Sequence, residues 1–259
     1  MQLLINLKRI SSHNRLAVNY QYQLSNCLDC IFEQAAVELI SNHSEHQKVN
    51  QKKFPFTFSE LTFDQLYACK DQFFMHHQGE SATLEVRIWD GISIRDYLID
   101  LFQDQRISFS FGNEVVEYHV TSVNTIRPPK FKAEMNYSAI TPLFLTKQVE
   151  NIGMDIISPG DAAYSEVFKT NLLKRFTIQF PELKGLKDLK NCCPEMDFVP
   201  TSQAIEQERV FNMYDLDLIH LTGFKFDFKL KASPILQEFG YYAGFGAQSS
   251  LGFGCVKAV

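Results

Sequence analysis

The chain has 259 residues, 45% hydrophobic and 21% charged, with a formal net charge of −5. That length and apolar content allow one large core or two ordinary ones and exclude wholesale disorder, and no stretch approaches the roughly 20 apolar residues of a membrane span. The negative total argues against a uniformly phosphate-binding surface, because phosphate contacts leave a basic footprint.

The charges are sorted, however, and distribution matters more than the sum. Residues 1–20 hold Lys8, Arg9 and Arg15 without an acid, and 127–132 (RPPKFK) is purely basic. Six cysteines are present, but the Cys27-x-x-Cys30 pair stands alone and Cys192–Cys193 is vicinal. A structural zinc site needs four ligands at suitable spacing, so no metal and no cofactor is expected. The chain opens directly on a strand-like run rather than a signal peptide, and the expected compartment is the cytoplasm.

Taken in order, QLLINLKRI (2–10) reads as a strand. A helix follows, with Leu24, Leu28, Ile31, Ala35 and Leu39 on one face, and gives way to the polar run 41–53. FPFTFSEL (54–61) and ATLEVRIWD (82–90) read as strands, separated by a less regular segment containing His76 and His77. Ile94, Tyr97, Leu98, Leu101 and Phe102 share one helical face, and 107–126 reads as one or two strands. Strand, helix, two strands, helix, strand is the ferredoxin-like order. RPPKFK breaks the pattern twice with proline and serves as a linker.

The cycle then restarts with strand-like YSAITPLFLT (137–146), and Ser158-Pro159-Gly160 with Asp161 begins a helix running to about Arg175. LDLIHLTG and FKFDFKLKA (216–232) read as two strands of a hairpin around Gly223. Ser233-Pro234 starts a short helix with Leu236, Phe239 and Ala243 inward, and GFGCVKAV (252–259) closes the chain as a strand. The expected architecture is α+β, two tandem ferredoxin-like (RRM-like) domains at 1–130 and 131–259.

The most specific motif is GFGAQSSLGFG at 244–254, in which Gly244, Gly246, Gly252 and Gly254 make two Gly-Phe-Gly units five residues apart. Glycine permits positive φ and close backbone approach, so successive N–H groups can face an anion. The alternative is a tight connection whose glycines only fit against their neighbours. Nucleotide-binding glycine loops run strand, loop, helix, whereas this one runs helix, loop, strand, and it lacks the lysine of a P-loop.

A C-terminal loop of this pattern before the last strand resembles that of the CRISPR repeat-RNA-processing endoribonucleases. These form the sixth Cas family, within the repeat-associated mysterious protein superfamily. Segments 19–24, 158–176 and 222–246 are similar to family segments in the same order. The resemblance implies two ferredoxin-like domains that bind CRISPR repeat RNA. It also implies metal-independent cleavage of precursor CRISPR RNA within the repeat, leaving a 2′,3′-cyclic phosphate.

It further implies a histidine shortly after the first helix. His43 stands at the matching place, His46 three residues on, and Lys52 is a candidate for phosphate stabilisation, with Lys48 and Lys53 beside it. Imidazole titrates near neutrality and suits proton transfer in such a reaction. A solvated polar loop is the plain alternative for these histidines.

RNA contacts are expected from the loop glycines, from Gln248, Ser249 and Ser250 at its centre, and from Lys225, Lys229 and Lys231. Arg127 and Lys130 of the linker could add contacts. The three lysines lie opposite Phe224, Phe226, Phe228 and Leu230, an arrangement that also suits a merely solubilising face.

Two features depart from the family pattern. The loop centre AQSSL carries no Lys or Arg, and about Asp29 some relatives have a tyrosine. The leading reading is therefore a metal-independent endoribonuclease, with two others beside it. One is a repeat-binding protein without activity, and the other is a structural subunit of a CRISPR effector complex.

Overall fold

The computed structural model describes residues 1–42, 54–68, 73–89, 95–149, 153–180, 196–213 and 217–259. The chain divides into two compact units, Met1–Arg127 and Pro128–Val259. Among the described residues no helix is long and apolar enough to cross a membrane.

The first unit contains β1 (Gln2–Arg9), β2 (Arg15–Ala17), α1 (Gln21–Asn42), β3 (Phe56–Phe58), β4 (Thr62–Phe63), β5 (Leu66–Ala68) and β6 (Phe74–His77). It continues with β7 (Ser81–Ile88), α2 (Arg95–Phe102), β8 (Arg106–Phe111) and β9 (Glu114–Thr125). The main sheet runs β3-β7-β1-β9-β8, antiparallel throughout. Without the edge strand β8 this is the ferredoxin-like strand order. Period-two alternation sends Leu3, Ile5, Leu7, Leu84, Val86, Ile88, Tyr118 and Val120 to one face. There they meet Leu24, Leu28, Ile31 and Ala35 of α1 and Leu98 and Phe102 of α2. Ile94 falls outside the described residues. β5 and β6, from the segment between β3 and β7, join β2 in a small second sheet, β2-β6-β5.

The second unit contains β10 (Glu134–Ala139), β11 (Thr146–Val149), β12 (Gly153–Ile156), α3 (Tyr164–Gln179), β13 (Asp197–Pro200) and β14 (Ile205–Met213). After these come β15 (Asp217–Lys225), β16 (Asp227–Lys231), α4 (Pro234–Ala243) and β17 (Val256–Ala258). Its main sheet, β13-β16-β10-β17, repeats the ferredoxin-like order. Asp161 accepts the N–H of Ala163 at 2.8 Å ahead of α3, whose Tyr164, Phe168, Leu172 and Phe176 are buried at i, i+4 spacing. α4 starts at Pro234, and its Leu236, Phe239 and Ala243 are fully enclosed.

The expected hairpin around Gly223 does not form. β15 runs straight through Gly223 and pairs along its length with β14, while β16 joins the main sheet between β10 and β13. Gly223 is dictated by packing: an added Cβ would lie 2.8 Å from Pro142 Cβ and 3.0 Å from the Leu143 carbonyl. The last strand is also shorter than the reading of 252–259, because Gly252–Cys255 belong to the glycine loop.

His77, unassigned by the sequence, is enclosed in the first unit. Its Nε2 lies 2.7 Å from Asp64 Oδ1 and its Nδ1 2.7 Å from the Tyr118 hydroxyl. With both ring nitrogens engaged, this histidine is a structural link and not a free base. The His77 bond draws the Asp64 carboxyl from 3.8 to about 2, with help from the N–H groups of Ser81, Glu80 and Gln65. A folded-state value depressed in this way gives stability that is present above about pH 4 and lost as pH falls toward 2. Asp64→Asn is expected to flatten the acid-side loss of stability across that window in urea unfolding. An unchanged acid profile in the variant would contradict the assignment.

Candidate nucleic-acid interface

Residues 244–254 connect α4 to β17, and each Gly-Phe-Gly unit works in the same way. Phe245 and Phe253 are fully buried, each contributing roughly 2–3 kcal/mol by leaving water. Phe245 packs against Tyr137, Phe168 and Phe228, and Phe253 against Phe144 and Phe211. Driving both rings into the core forces sharp turns on either side. All four flanking glycines have positive φ, between 73° and 87°.

Space is as restrictive as φ. A Cβ on Gly254 would sit 1.9 Å from the Phe245 carbonyl oxygen, and one on Gly246 would sit 2.7 Å from that of Phe144. The strand-like contacts that tie the loop down explain the crowding. Phe245 N–H donates to Gly254 O at 2.9 Å, Gly254 N–H to Pro142 O at 2.8 Å and Ala247 N–H to Phe144 O at 2.7 Å. Tight packing thus accounts for Gly246 and Gly254 without any ligand.

The middle of the loop differs. Gln248 adopts a left-handed conformation and begins a single 3₁₀ turn over Ser249–Leu251. Leu251 N–H bonds to Gln248 O at 3.0 Å and Gly252 N–H to Ser249 O at 2.9 Å. As at any helix start, the first N–H groups are left over. Among the described residues none accepts from the backbone N–H of Gln248, Ser249 or Ser250. Gln248 is exposed and the two serines are half-exposed.

Two arginines outside the loop hold it in this shape. Arg175 of α3 donates through Nη1 to the carbonyls of Gly244 (2.6 Å) and Gly246 (2.5 Å), and through Nη2 to Ala243 O (2.6 Å) and Ser249 Oγ (3.0 Å). Arg209 of β14 donates to Leu251 O at 3.1 Å and Gly252 O at 3.0 Å, with its guanidinium 4.8 Å from the Phe253 ring centre. Burial pushes the Arg175 guanidinium down to about 10, so it remains charged at neutral pH. A loop with no cation of its own therefore rests on two positive charges.

Neither arginine was singled out from the sequence, although a signal existed. Arg175 occupies the i+7 position of the apolar stripe Phe168, Leu172, Phe176, and Arg209 shares a strand face with buried Phe211. A charge on a buried face must be met by acceptors, and here these are main-chain carbonyls.

The remaining sequence candidates do not converge on one site. Phe224, Phe226, Phe228 and Leu230 are buried as expected, but the lysines opposite are divided between two sheets. Lys225 ends β15, whereas Lys229 and Lys231 lie on β16. Lys229 Nζ is 2.7 Å from Glu134 Oε1, and Lys231 stands in register with Glu134 on one side and Asp197 on the other. This pairing suits a solvated sheet face at least as well as an RNA track. Arg127 and Lys130 are exposed at the boundary of the two units. His220 pairs with Glu208 at 2.9 Å across the β14–β15 ribbon. His43, His46 and Lys52 lie outside the described residues.

A family model described as CRISPR associated protein Cas6, C-terminal, matches residues 126–258, just over half the chain. No curated protein sequence is significantly similar to the chain. Solved structures match over the whole length. A RAMP protein described as binding different RNA substrates is 16% identical with a TM-score of 0.74, covering 100% of this chain and 99% of that one. The product of a Cas6-related gene from Pyrococcus furiosus is 15% identical with a TM-score of 0.75, covering 100% and 98%. A CRISPR associated protein Cas6 is 20% identical with a TM-score of 0.69, covering 100% and 99%. At these identities the likeness to the solved structures is one of fold.

Because Arg175 satisfies three main-chain carbonyls at once, those of Ala243, Gly244 and Gly246, Arg175→Ala is expected to cost on the order of 3 kcal/mol of stability. Arg175→Lys should recover less than half of that, since an ammonium cannot fork among separate acceptors as a guanidinium does. Urea unfolding of the full chain measures both. Unchanged midpoints would show that the loop keeps its shape without the arginine.

Proposed function

Since the chain belongs to the Cas6 family of CRISPR-associated proteins, we propose that it binds CRISPR repeat RNA and cuts precursor CRISPR RNA within the repeat. Family membership implies repeat binding and processing, and the chemistry is the finer part of the proposal. The 2′-hydroxyl attacks the adjacent phosphorus, the 5′-oxygen leaves, and a 2′,3′-cyclic phosphate remains. One group must take the 2′-hydroxyl proton and one must supply a proton to the departing oxygen. His43, with His46 as partner or substitute, is proposed for these transfers, and Lys52 for the charge that develops on phosphorus. No metal ion is required by this scheme.

The observation that carries the binding half is the run of three backbone N–H groups at Gln248–Ser250 without an acceptor among the described residues. Successive N–H groups in a turn suit a phosphate oxygen, and the Gln248 amide and Ser250 hydroxyl can add neutral hydrogen bonds. Arg175 and Arg209 raise the local potential from beneath. Lys225, Lys229, Lys231, Arg127 and Lys130 remain candidates for contacts along the backbone.

A second reading, repeat binding without cleavage, is favoured by one feature. Both arginines that touch the loop donate to its carbonyls, so neither presents a free guanidinium to a phosphate undergoing reaction.

End-labelled repeat RNA in EDTA separates the readings. The wild type is expected to cut at one position under single-turnover conditions. His43→Ala should slow cutting by about 10²–10⁴ while leaving affinity within several-fold, as befits a group acting mainly in the transition state. Full activity in the His43→Ala/His46→Ala double variant would remove both histidines from the mechanism. Activity that requires added magnesium would overturn the metal-independent scheme, and no cutting by the folded wild type would favour binding alone.

A further inference from the structure

The small sheet β2-β6-β5 of the first unit has one packed face and one outward face. Arg15 of β2 stands opposite His76 of β6, and His76 stands opposite Tyr67 of β5. Directly paired residues share a face, so Arg15, His76 and Tyr67 stand at one level across the three strands. At the usual strand separation of about 4.8 Å the row spans roughly 10 Å. The opposite face is the packed one, with Leu16, Met75 and His77 buried.

The row is held in place from the side. The Arg15 guanidinium lies 3.8 Å from the centre of the Phe74 ring, and Phe111 meets that ring edge-on at 4.6 Å. Glu114 lies 3.8 Å from Arg15 Nη1, and Asn14 Oδ1 lies 3.3 Å from His76 Nδ1. The His76 Nε2 has no partner among the described residues. Tyr67 is 57% exposed and Phe111 50% exposed. Tyr67 makes no hydrogen bond or ring contact with any described residue. Tyr67 and Phe111 are the open rings of this face, while Arg15 and His76 are half-buried.

We propose that this face stacks two or three unpaired bases of the bound RNA. Base planes stack on aromatic rings and on guanidinium groups, and sheets that bind single strands present such side chains on one face. The occupant is single-stranded RNA rather than a protein, because a guanidinium, an imidazole with a free nitrogen and a phenol match base faces and base edges together. A hydrophobic protein partner would meet two hydrogen-bonding groups with nothing to satisfy them. Stacking is tolerant of sequence, so the face adds affinity for an unpaired segment and leaves repeat selectivity to other contacts.

This inference rests on the RNA-binding reading of the preceding section, and its test keeps the two apart. Affinity for unpaired repeat RNA is measured by fluorescence anisotropy for the wild type, Tyr67→Ala, Tyr67→Trp and Phe111→Ala, with circular dichroism as the check of folding. Tyr67→Ala is expected to bind about tenfold more weakly, the loss of one stacked base, and Tyr67→Trp at least as tightly as the wild type. If Tyr67→Ala and Phe111→Ala both bind within twofold of a wild type that prefers the repeat, the stacking face is wrong and repeat recognition stands. A wild type with no preference for the repeat over scrambled RNA overturns the functional reading, and this subsite with it.

Discussion

The Arg175 guanidinium among the carbonyls of Ala243, Gly244 and Gly246 is the contact on which the loop depends. Two anchored phenylalanines, Phe245 and Phe253, in Gly-Phe-Gly units separated by five residues, pull the backbone inward twice. Each inward turn leaves carbonyl groups in an enclosed place, where an unmet acceptor costs about 1–3 kcal/mol. One forked cation meets three of them and the Ser249 hydroxyl as well, while Arg209 meets two more at the far end. With the carbonyls held, the short turn between the two Gly-Phe-Gly units is fixed, and its leading N–H groups remain available.

The glycines therefore divide by role. Gly246 and Gly254 have neither the φ nor the space for a side chain, and their presence is explained by contacts with Phe144 and Phe245 alone. At Gln248–Ser250 the backbone N–H groups have no acceptor among the described residues, although Gln248 is left-handed and Ser249 Oγ accepts from Arg175. Structural fit accounts for Gly246 and Gly254, and the proposed phosphate contact falls on other residues of the same loop.

Much of the fold was legible because apolar spacing is a direct record of burial. The stripes on α1, α2 and α4 and the alternation of β16 could be read residue by residue, whereas α3 was placed by its start signals alone. The hairpin at Gly223 was misread because a glycine between two strand-like runs signals a turn equally well as a place where Pro142 leaves no room for Cβ. The β2-β6-β5 sheet escaped notice because its strands are three or four residues long, too short for a period to show. The loop motif could be seen as a unit, but its bracing could not: Arg175 and Arg209 are 69 and 43 residues before their respective partners Gly244 and Gly252.

The central claim is that the backbone N–H groups of Gln248, Ser249 and Ser250 receive RNA phosphate. Amide hydrogen exchange of the full chain, with and without repeat RNA, tests it most directly. The account predicts fast exchange at these three amides in the free protein and marked protection when the RNA is bound, with Phe245 and Gly254 already protected in both states. Equal exchange at the three amides with the RNA demonstrably bound would contradict it.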